Sequence, residues 1–256
     1  MTTRVPDAKP SRIIILGALS AIAEATARQW AERGAHLVLA ARDAAKLEAV
    51  AADLRLRGAT VDTTAIDLAT CDAQVEFDAM TSRLGGVDIV LLAYGVLGDQ
   101  KAAEQDPAHA HDILVSNFTS AAAWCMAIAQ RLEQQRSGAL IVIGSVAGDR
   151  GRASNYVYGA AKGGLALLVQ GLAHRLSSVG ARAFLVKPGF VDTPMTAHIP
   201  NKGLLWAKPA AIAASIVKAG DNRSANRPIL YTPGYWRLIM TIICSVPSVI
   251  FHKTKL

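Results

Sequence analysis

Short apolar runs alternate with helix-like segments along most of this chain, and this alternation restricts its fold more than any other feature. The runs are 13–16, 36–40, 88–92, 139–143, 181–186 and 229–231. Each has the length of a strand, and helical patterns separate them. Parallel strands need such crossover connections, so the sequence predicts an α/β fold with a doubly wound parallel sheet in three αβα layers. A length of 256 residues fits a single domain.

Small residues follow several of these runs. Gly17, Gly95, Ser145 and 188–189 come just after a predicted strand, and Gly17 is followed by an amphipathic helix over 20–34. Ligands in parallel sheets bind beyond the carboxyl ends of the strands. We therefore expect these residues to meet in one crevice.

Tyr158 and Lys162 are spaced so that a helix would place both side chains on one face. A tyrosine normally ionises near pH ~10, and an adjacent ammonium would lower the pKa of Tyr158 towards neutrality. Ser145 would polarise the same substrate oxygen. Tyr-x-x-x-Lys also arises by chance, but its context here favours a proton donor acting on a carbonyl.

With the Gly17 turn, these motifs resemble the short-chain dehydrogenase/reductase family over nearly the whole chain. The resemblance implies a Rossmann-type fold and NAD(P)H-dependent reduction of a ketone. Tyr158 would exchange the proton, Ser145 would orient the oxygen, and Lys162 would hold the nicotinamide ribose and lower the tyrosine's pKa. Asn117 would complete the catalytic group by holding a water relay. Taken alone it would be an ordinary polar helix residue, but beside the other three residues a catalytic role is favoured.

The phosphate-binding turn departs from the family pattern, because its three glycine positions are Gly17, Ala21 and Ala23. A methyl group at Ala21 would push the cofactor outward or shift the loop, so weak cofactor binding stays open. Residues 92–95 have the sequence Leu-Ala-Tyr-Gly, where the family has an Asn-Asn-Ala-Gly motif after its fourth strand. The two asparagine side chains of that motif are therefore absent. The resemblance assigns cofactor contacts to Gly17, Ser20, Ile22, Asp67, Leu68, Ala93, Gly95, Tyr158, Lys162, Pro188, Val191 and Thr193.

The end of the second strand predicts the choice of cofactor. Arg42 stands where an arginine favours the 2′-phosphate of NADPH. Asp43, the next residue, is a possible ligand for the ribose hydroxyl of NADH. The sequence therefore favours NADP and leaves NAD open.

Positive charge is concentrated near the C-terminus. Residues 1–200 hold 19 basic and 19 acidic side chains, whereas residues 201–256 hold eight basic and one acidic. Residues 235–251 are mostly apolar, but Pro247 interrupts them and a membrane span needs ~20 residues. We predict a family domain over 1–234 and a segment over 235–256 that lies on a membrane surface or forms an oligomer contact.

One branch of the family, the decaprenylphosphoryl-2-keto-pentose reductases, shares the unusual segments 94–99, 148–158 and 246–251. This resemblance implies reduction of a polyprenyl-phosphate-linked 2-keto pentose to an arabinofuranosyl donor, beside a flavin-dependent oxidase that makes the ketone. Arg150 and Arg152 would bind the phosphodiester, unless they belong to a solvated loop. The alternatives are a soluble reductase of a small hydrophobic ketone and a non-enzymatic nucleotide-binding interaction protein.

Other classes of function find little support in the sequence. No basic groove motif with stacking aromatics indicates nucleic-acid binding, and no metal site is expected, since His109 and His111 cannot share a helix face. The cysteines have no paired spacing, and the polar residues 1–10 do not resemble a signal peptide. We expect a cytoplasmic protein, at the inner face of the membrane if the C-terminal segment binds lipid.

Overall fold

The computed structural model describes residues 11–197, 199–200, 202–222 and 228–254. Seven strands form one parallel sheet: β1 Arg12–Leu16, β2 His36–Ala41, β3 Thr60–Ala65, β4 Ile89–Leu92, β5 Ala139–Ile143, β6 Arg182–Pro188 and β7 Ile229–Thr232. Their order is β3-β2-β1-β4-β5-β6-β7. The predicted doubly wound single-domain fold is confirmed, and the strand order reverses between β1 and β4, which opens a crevice at the carboxyl edge.

Strand β3 is missing from the sequence prediction. Three of its six residues are threonine, and Val61 is its only buried residue. As an edge strand it pairs with β2 alone, so it does not need apolar side chains on both faces. Its threonines and valine favour extended structure and are the signal that the apolar-run pattern overlooks.

Helices cover both faces of the sheet. They are α1 Ala21–Ala31, α2 Ala44–Leu56, α3 Ala73–Leu84, α4 Gln100–Gln105, α5 Pro107–Leu114, α6 Ser120–Gln135, α7 Tyr156–Ser177, α8 Pro209–Asp221, α9 Trp236–Ser245 and α10 Ser248–Phe251. Side chains of β1 alternate between the two layers: Ile14 and Leu16 pack in the core with α3, α6 and α7, and Ile13 and Ile15 in the core with α1, α2 and α8. This two-sided burial explains why the central strands are apolar throughout.

A continuous helical run, Pro107–Gln135, is long and apolar enough to cross a membrane by length and composition alone. Half of its apolar window is buried, and Trp124 and Ile128 pack in the core against the sheet. It is therefore placed as a core helix. The apolar helix α9 has ten residues, about half of the ~20 that a span requires.

The C-terminal segment forms two short helices, α9 and α10, separated at Pro247 as the sequence predicts. Trp236 and Met240 are buried against Val146, which follows β5. The other face of the segment exposes Leu238, Ile242, Val249 and Ile250. Residues 1–10 and Lys255, on which the signal-peptide and basic-end predictions partly rest, lie outside the described residues.

Candidate active site

The four predicted catalytic residues line one cavity of about 770 Å³ at the carboxyl edge of the sheet. Ser145 lies two residues after β5, and Tyr158 and Lys162 lie in the first two turns of α7. Asn117 lies in a π-helical turn, Val115–Thr119, between α5 and α6. Elements that are distant in sequence thus bring together a hydroxyl, a phenol, an ammonium and an amide.

Lys162 is almost fully buried beneath the phenol. Its Nζ donates to the carbonyl oxygen of Ile143 at 3.1 Å and lies 5.8 Å from the centre of the Tyr158 ring. The ammonium is thus anchored to the end of β5 and lies near the phenol ring.

Removal from water governs the ionisation of both groups. Burial raises the pKa of Tyr158 to about 12, with a hydrogen bond to Ser145 acting in the opposite direction. Burial lowers the pKa of Lys162 to about 8. The direction for Tyr158 is opposite to the sequence prediction, because burial dominates the pKa of the phenol. At pH 7 the phenol therefore holds its proton and the ammonium keeps its charge, the state that a proton donor requires.

Asn117 joins the segment that follows β4 to the end of α5 through side-chain hydrogen bonds. Its Nδ2 donates to the carbonyl oxygens of Ile113 and Val96, each at 2.8 Å, and its Oδ1 accepts from the Val96 N–H at 3.2 Å. A Cβ on Gly95 would lie 2.4 Å from that Oδ1, at a φ of +152°. The glycine is therefore needed for this close approach. The water relay assigned to Asn117 stays a prediction.

The loop after Ser145 packs directly on the backbone of α7. A Cβ on Gly148 would lie 2.7 Å from the backbone nitrogen of Gly163, and one on Gly159 would lie 2.9 Å from the Ala147 carbonyl oxygen. These contacts fix the serine relative to the tyrosine and the lysine. The sequence analysis missed them, although glycines at 159 and 163 share one helix face.

The turn at Gly17 has the geometry for binding phosphate. Gly17 has a φ of +85°, and a Cβ there would lie 2.6 Å from that of Tyr94. Ser20 caps α1 by accepting from the Ala23 N–H at 3.2 Å. Within the described residues, the N–H groups of Ala21 and Ile22 have no partner, as expected at a helix start, and both residues line the cavity. These amides fit the pyrophosphate of a dinucleotide.

Tyr94, two residues after β4, braces the site. Its hydroxyl is 3.1 Å from the Ser120 Oγ, which donates to the Val115 carbonyl oxygen at 2.9 Å. Burial raises the pKa of Tyr94, so its hydroxyl stays neutral. It links the end of β4 to α6, a link that the sequence analysis did not anticipate.

The same cavity is also lined by Arg42, Asp43 and Lys46, at and after the end of β2. Asp43 caps α2 by accepting from the Lys46 N–H at 3.0 Å, and its other oxygen is 3.1 Å from the Lys46 Nζ. These hydrogen bonds lower the pKa of Asp43. The carboxylate is thus occupied by the helix, whereas Arg42 is exposed. Lys46 was not among the predicted residues.

The remaining predicted cofactor contacts also line the cavity: Gly17, Ser20, Asp67, Leu68, Ala93, Gly95, Pro188, Val191 and Thr193. Together with the donors at the start of α1, the lining residues fit an extended dinucleotide.

The two arginines predicted to bind a phosphodiester are separated by the structure. Arg152 lines the cavity, and burial lowers its pKa. Among the described residues, its guanidinium has no hydrogen-bond or ion-pair partner. Arg150 instead donates to the carbonyl oxygens of Ile243 at 2.5 Å and Val246 at 2.6 Å, and its guanidinium lies 3.8 Å from the centre of the Phe251 ring. Arg150 is thus used in holding the C-terminal segment.

Comparisons with known proteins bear on the family and the fold of the chain. Residues 11–203 match the family model described as short chain dehydrogenase. An uncharacterised oxidoreductase of Streptomyces coelicolor is 35% identical over 245 residues, which cover 95% of this chain and 96% of the relative.

Solved structures resemble the chain in fold. A 3-oxoacyl-[acyl-carrier protein] reductase from Brucella melitensis, in complex with NAD, superimposes with a TM-score of 0.79 at 23% identity, over 91% of this chain and 99% of that one. An actinorhodin polyketide ketoreductase with NADPH has a TM-score of 0.79 at 20% identity, over 88% and 97%.

Proposed function

The chain belongs to the short-chain dehydrogenase family of NAD(P)-dependent oxidoreductases, and on that premise we propose that it reduces a ketone, with Tyr158 as the proton donor. The observation that carries the proposal is the meeting of Ser145, Tyr158 and Lys162 at one cavity wall, with the phenol protonated at neutral pH. The dinucleotide-shaped lining of the same cavity supports a nicotinamide cofactor.

The side chains divide the work of reduction among them. When bound, the nicotinamide supplies a hydride to the carbonyl carbon. The hydroxyls of Ser145 and Tyr158 donate to the carbonyl oxygen as negative charge develops there, and Tyr158 gives up its proton. Lys162, charged below pH about 8, stabilises the phenolate that is left. Asn117 keeps the segment at Gly95 in place beside them.

NADPH is the cofactor that we assign. Arg42 supplies an exposed guanidinium at the adenosine end, which suits a 2′-phosphate. Asp43, the residue that would favour NADH, already accepts from Lys46 and caps α2. Similar folds hold either NAD or NADPH, so the assignment rests on these side chains.

The substrate that we propose is anionic near its ketone and apolar beyond it. Arg152 offers an unpartnered guanidinium to the cavity, and the Oδ1 of Asn155, also on the lining, is buried without a partner among the described residues. The guanidinium suits an anion, and the amide oxygen suits a hydroxyl group that donates a hydrogen bond. Val96, Phe190 and Met195 add apolar surface. A polyprenyl-phosphate-linked 2-keto pentose, reduced to an arabinofuranosyl donor, has all three features.

A lipid-linked substrate would place the protein at the inner face of the membrane, beside the flavin-dependent oxidase that makes the ketone. The exposed apolar side chains Leu238, Ile242 and Val249 with the nearby cations Arg237 and Lys253 support lipid contact by the 235–256 segment. A second copy of the chain, in a homo-oligomer, is the competing occupant of that surface.

The runner-up is a soluble reductase of a small hydrophobic ketone. The apolar lining of the cavity favours it, and Arg152 would then be unused. The non-enzymatic interpretation has no support, because the chain belongs to a family of oxidoreductases and keeps the proton-donor residues.

The test is NADPH and NADH oxidation with a polyprenyl-phosphoryl 2-keto pentose and, in parallel, with neutral aryl ketones and a 3-oxoacyl thioester. We expect turnover of the anionic lipid with NADPH, and a pentose product reduced at carbon 2. Turnover of the neutral ketones alone would establish the runner-up. Absence of turnover with every ketone, by protein that binds NADPH, would refute ketone reduction.

A further inference from the structure

A buried polar cluster adjoins the loop that contains Ser145. This loop, residues 145–149, is called the serine loop below. Asp149, four residues after Ser145, forms an ion pair with Lys187, and the side chains of both are only 7% exposed. Its other carboxylate oxygen accepts from the Tyr231 hydroxyl at 2.9 Å. Lys187 and Tyr231 face each other in the register of β6 and β7. The carboxylate thus ties the loop to the last two strands.

The same cluster adjoins a second wall of the cavity. Lys187 is followed in the chain by Pro188 and Gly189, which line the cavity. A Cβ on Gly189 would lie 1.9 Å from atoms of the Trp236 indole, so α9 touches the backbone there. Movement of Lys187 would therefore displace Pro188 and Gly189, which line the cavity.

Helix α9 closes the arrangement from outside. Trp236 and Met240 pack against Val146, the residue after Ser145. Arg150, next to Asp149, donates to carbonyl oxygens at the end of α9. The serine loop is thus attached to β6 and β7 through the Asp149 carboxylate, and the adjoining Arg150 attaches it to α9.

We propose that Asp149 and Tyr231 are positioning residues that hold Ser145 at the substrate oxygen, with α9 as their outer support; this rests on the proposed ketone reduction. Burying an ion pair contributes little net stability, because desolvation offsets the attraction. Its strict geometry instead restricts where the loop can lie. Positioning to within about 0.5 Å is what a hydroxyl acting on a developing charge requires.

The test compares two removals of a tyrosine hydroxyl in the full chain. Tyr231→Phe removes the bond to Asp149, whereas the control Tyr235→Phe removes an exposed bond to the Leu205 carbonyl oxygen. We expect Tyr231→Phe to lower kcat about tenfold, with KM for the ketone and Kd for NADPH within about twofold of the wild type. Tyr235→Phe keeps the wild-type kcat. An unchanged kcat in Tyr231→Phe, or an equal loss in kcat and NADPH binding, overturns the proposal.

Hydrogen exchange supplies a readout that does not depend on the substrate. The N–H groups of Ala147, Gly148 and Asp149 bond within the serine loop, to Ser145 or Val146. We expect Tyr231→Phe to speed their exchange severalfold and Tyr235→Phe to leave it unchanged. Equal exchange in both variants contradicts the proposal. If the wild type reduces no ketone, the proposed function fails and the exchange result alone decides this inference.

Should Tyr231→Phe fail to fold, Arg150→Met gives the same comparison from the other side of the loop. It removes the bonds to Ile243 and Val246, and we expect it to speed exchange at the same three amides.

Discussion

The Nζ of Lys162 lies 5.8 Å from the centre of the Tyr158 ring and donates its hydrogen bond to the Ile143 carbonyl oxygen. The lysine therefore supplies charge near the phenol without sharing the phenol's proton. Because burial raises the pKa of Tyr158 to about 12, the neutral phenol is the resting form. This arrangement suits proton donation, the direction that reduction needs.

Tyr158→Phe should abolish most of the reduction while preserving the cofactor site. It removes the proton donor, and general acid catalysis by one side chain contributes about 10²–10⁴-fold. We expect kcat to fall by that factor and the Kd for NADPH, measured by fluorescence titration, to stay within about threefold. Tyr156→Phe, an exposed tyrosine two residues away, is the control and should keep full activity. A Tyr158→Phe enzyme with wild-type turnover would disprove the assigned role.

The pH profile of reduction should have one falling limb near pH 8. Lys162 is charged below its pKa of about 8 and loses that charge as the pH rises, while Tyr158 keeps its proton until about pH 12. Activity is therefore full below pH 7 and declines above pH 8. Lys162→Arg, whose charge persists to high pH, should move that decline upward. Measurement of kcat from pH 6 to 10 checks both, and an identical decline in the variant would assign the limb to another group.

Arg42→Ala should weaken NADPH binding about tenfold or more and change NADH binding little. Its guanidinium suits a phosphate, which NADH lacks. Arg33→Ala, an exposed arginine that pairs with Asp221 outside the cavity, is the control and should change neither. The two Kd values come from titration of each variant. Equal weakening of both cofactors would show that Arg42 contacts a part that NADPH and NADH share, and not the 2′-phosphate.

Arg152→Ala should separate anionic from neutral substrates. Loss of an unpartnered guanidinium removes a partner for an anion, so KM for an anionic ketone should rise about tenfold or more. For a neutral ketone of similar size, KM should stay within about twofold. Steady-state kinetics with one matched pair of ketones measures this. Equal changes for both would favour the small hydrophobic ketone.

Gly148→Ala should disturb both stability and turnover. The added Cβ would lie 2.7 Å from backbone atoms of Lys162 and Gly163, so the loop or α7 must shift. Overpacking of this kind costs about 1–3 kcal/mol. Gly151→Ala, where a Cβ meets nothing within 4 Å, should change stability by less than about 0.5 kcal/mol. Urea unfolding and kcat of both variants test this, and equal stabilities would show that the loop adapts freely.

The parts of the site that the sequence predicts are those encoded by local spacing. Tyr158 and Lys162 are one helical turn apart, and Ser145 follows an apolar strand, so a reader of the chain can place them on one edge of a parallel sheet. The buried strands are also recognisable in the sequence, because burial on both faces makes each of them a continuous apolar run. Polar β3 was not, because an edge strand needs no apolar run.

The parts that escaped prediction depend on contacts between distant residues. Asp149 meets Lys187 and Tyr231, which lie 38 and 82 positions away. Arg150 resembles a phosphate ligand in sequence, but the fold places it against the end of α9. The pKa of Tyr158 likewise follows from burial, which local spacing does not reveal.

Transfer of deuterium from NADPH that carries deuterium at both positions of the nicotinamide C4 tests ketone reduction most directly. The labelled cofactor is incubated with the protein and a polyprenyl-phosphoryl 2-keto pentose, with neutral ketones in parallel, and the products are analysed by mass and by NMR. The proposed function predicts one deuterium on the new carbinol carbon with the wild-type protein, and transfer about 10²–10⁴-fold slower with Tyr158→Phe. Bound NADPH that delivers no deuterium to any ketone would contradict it.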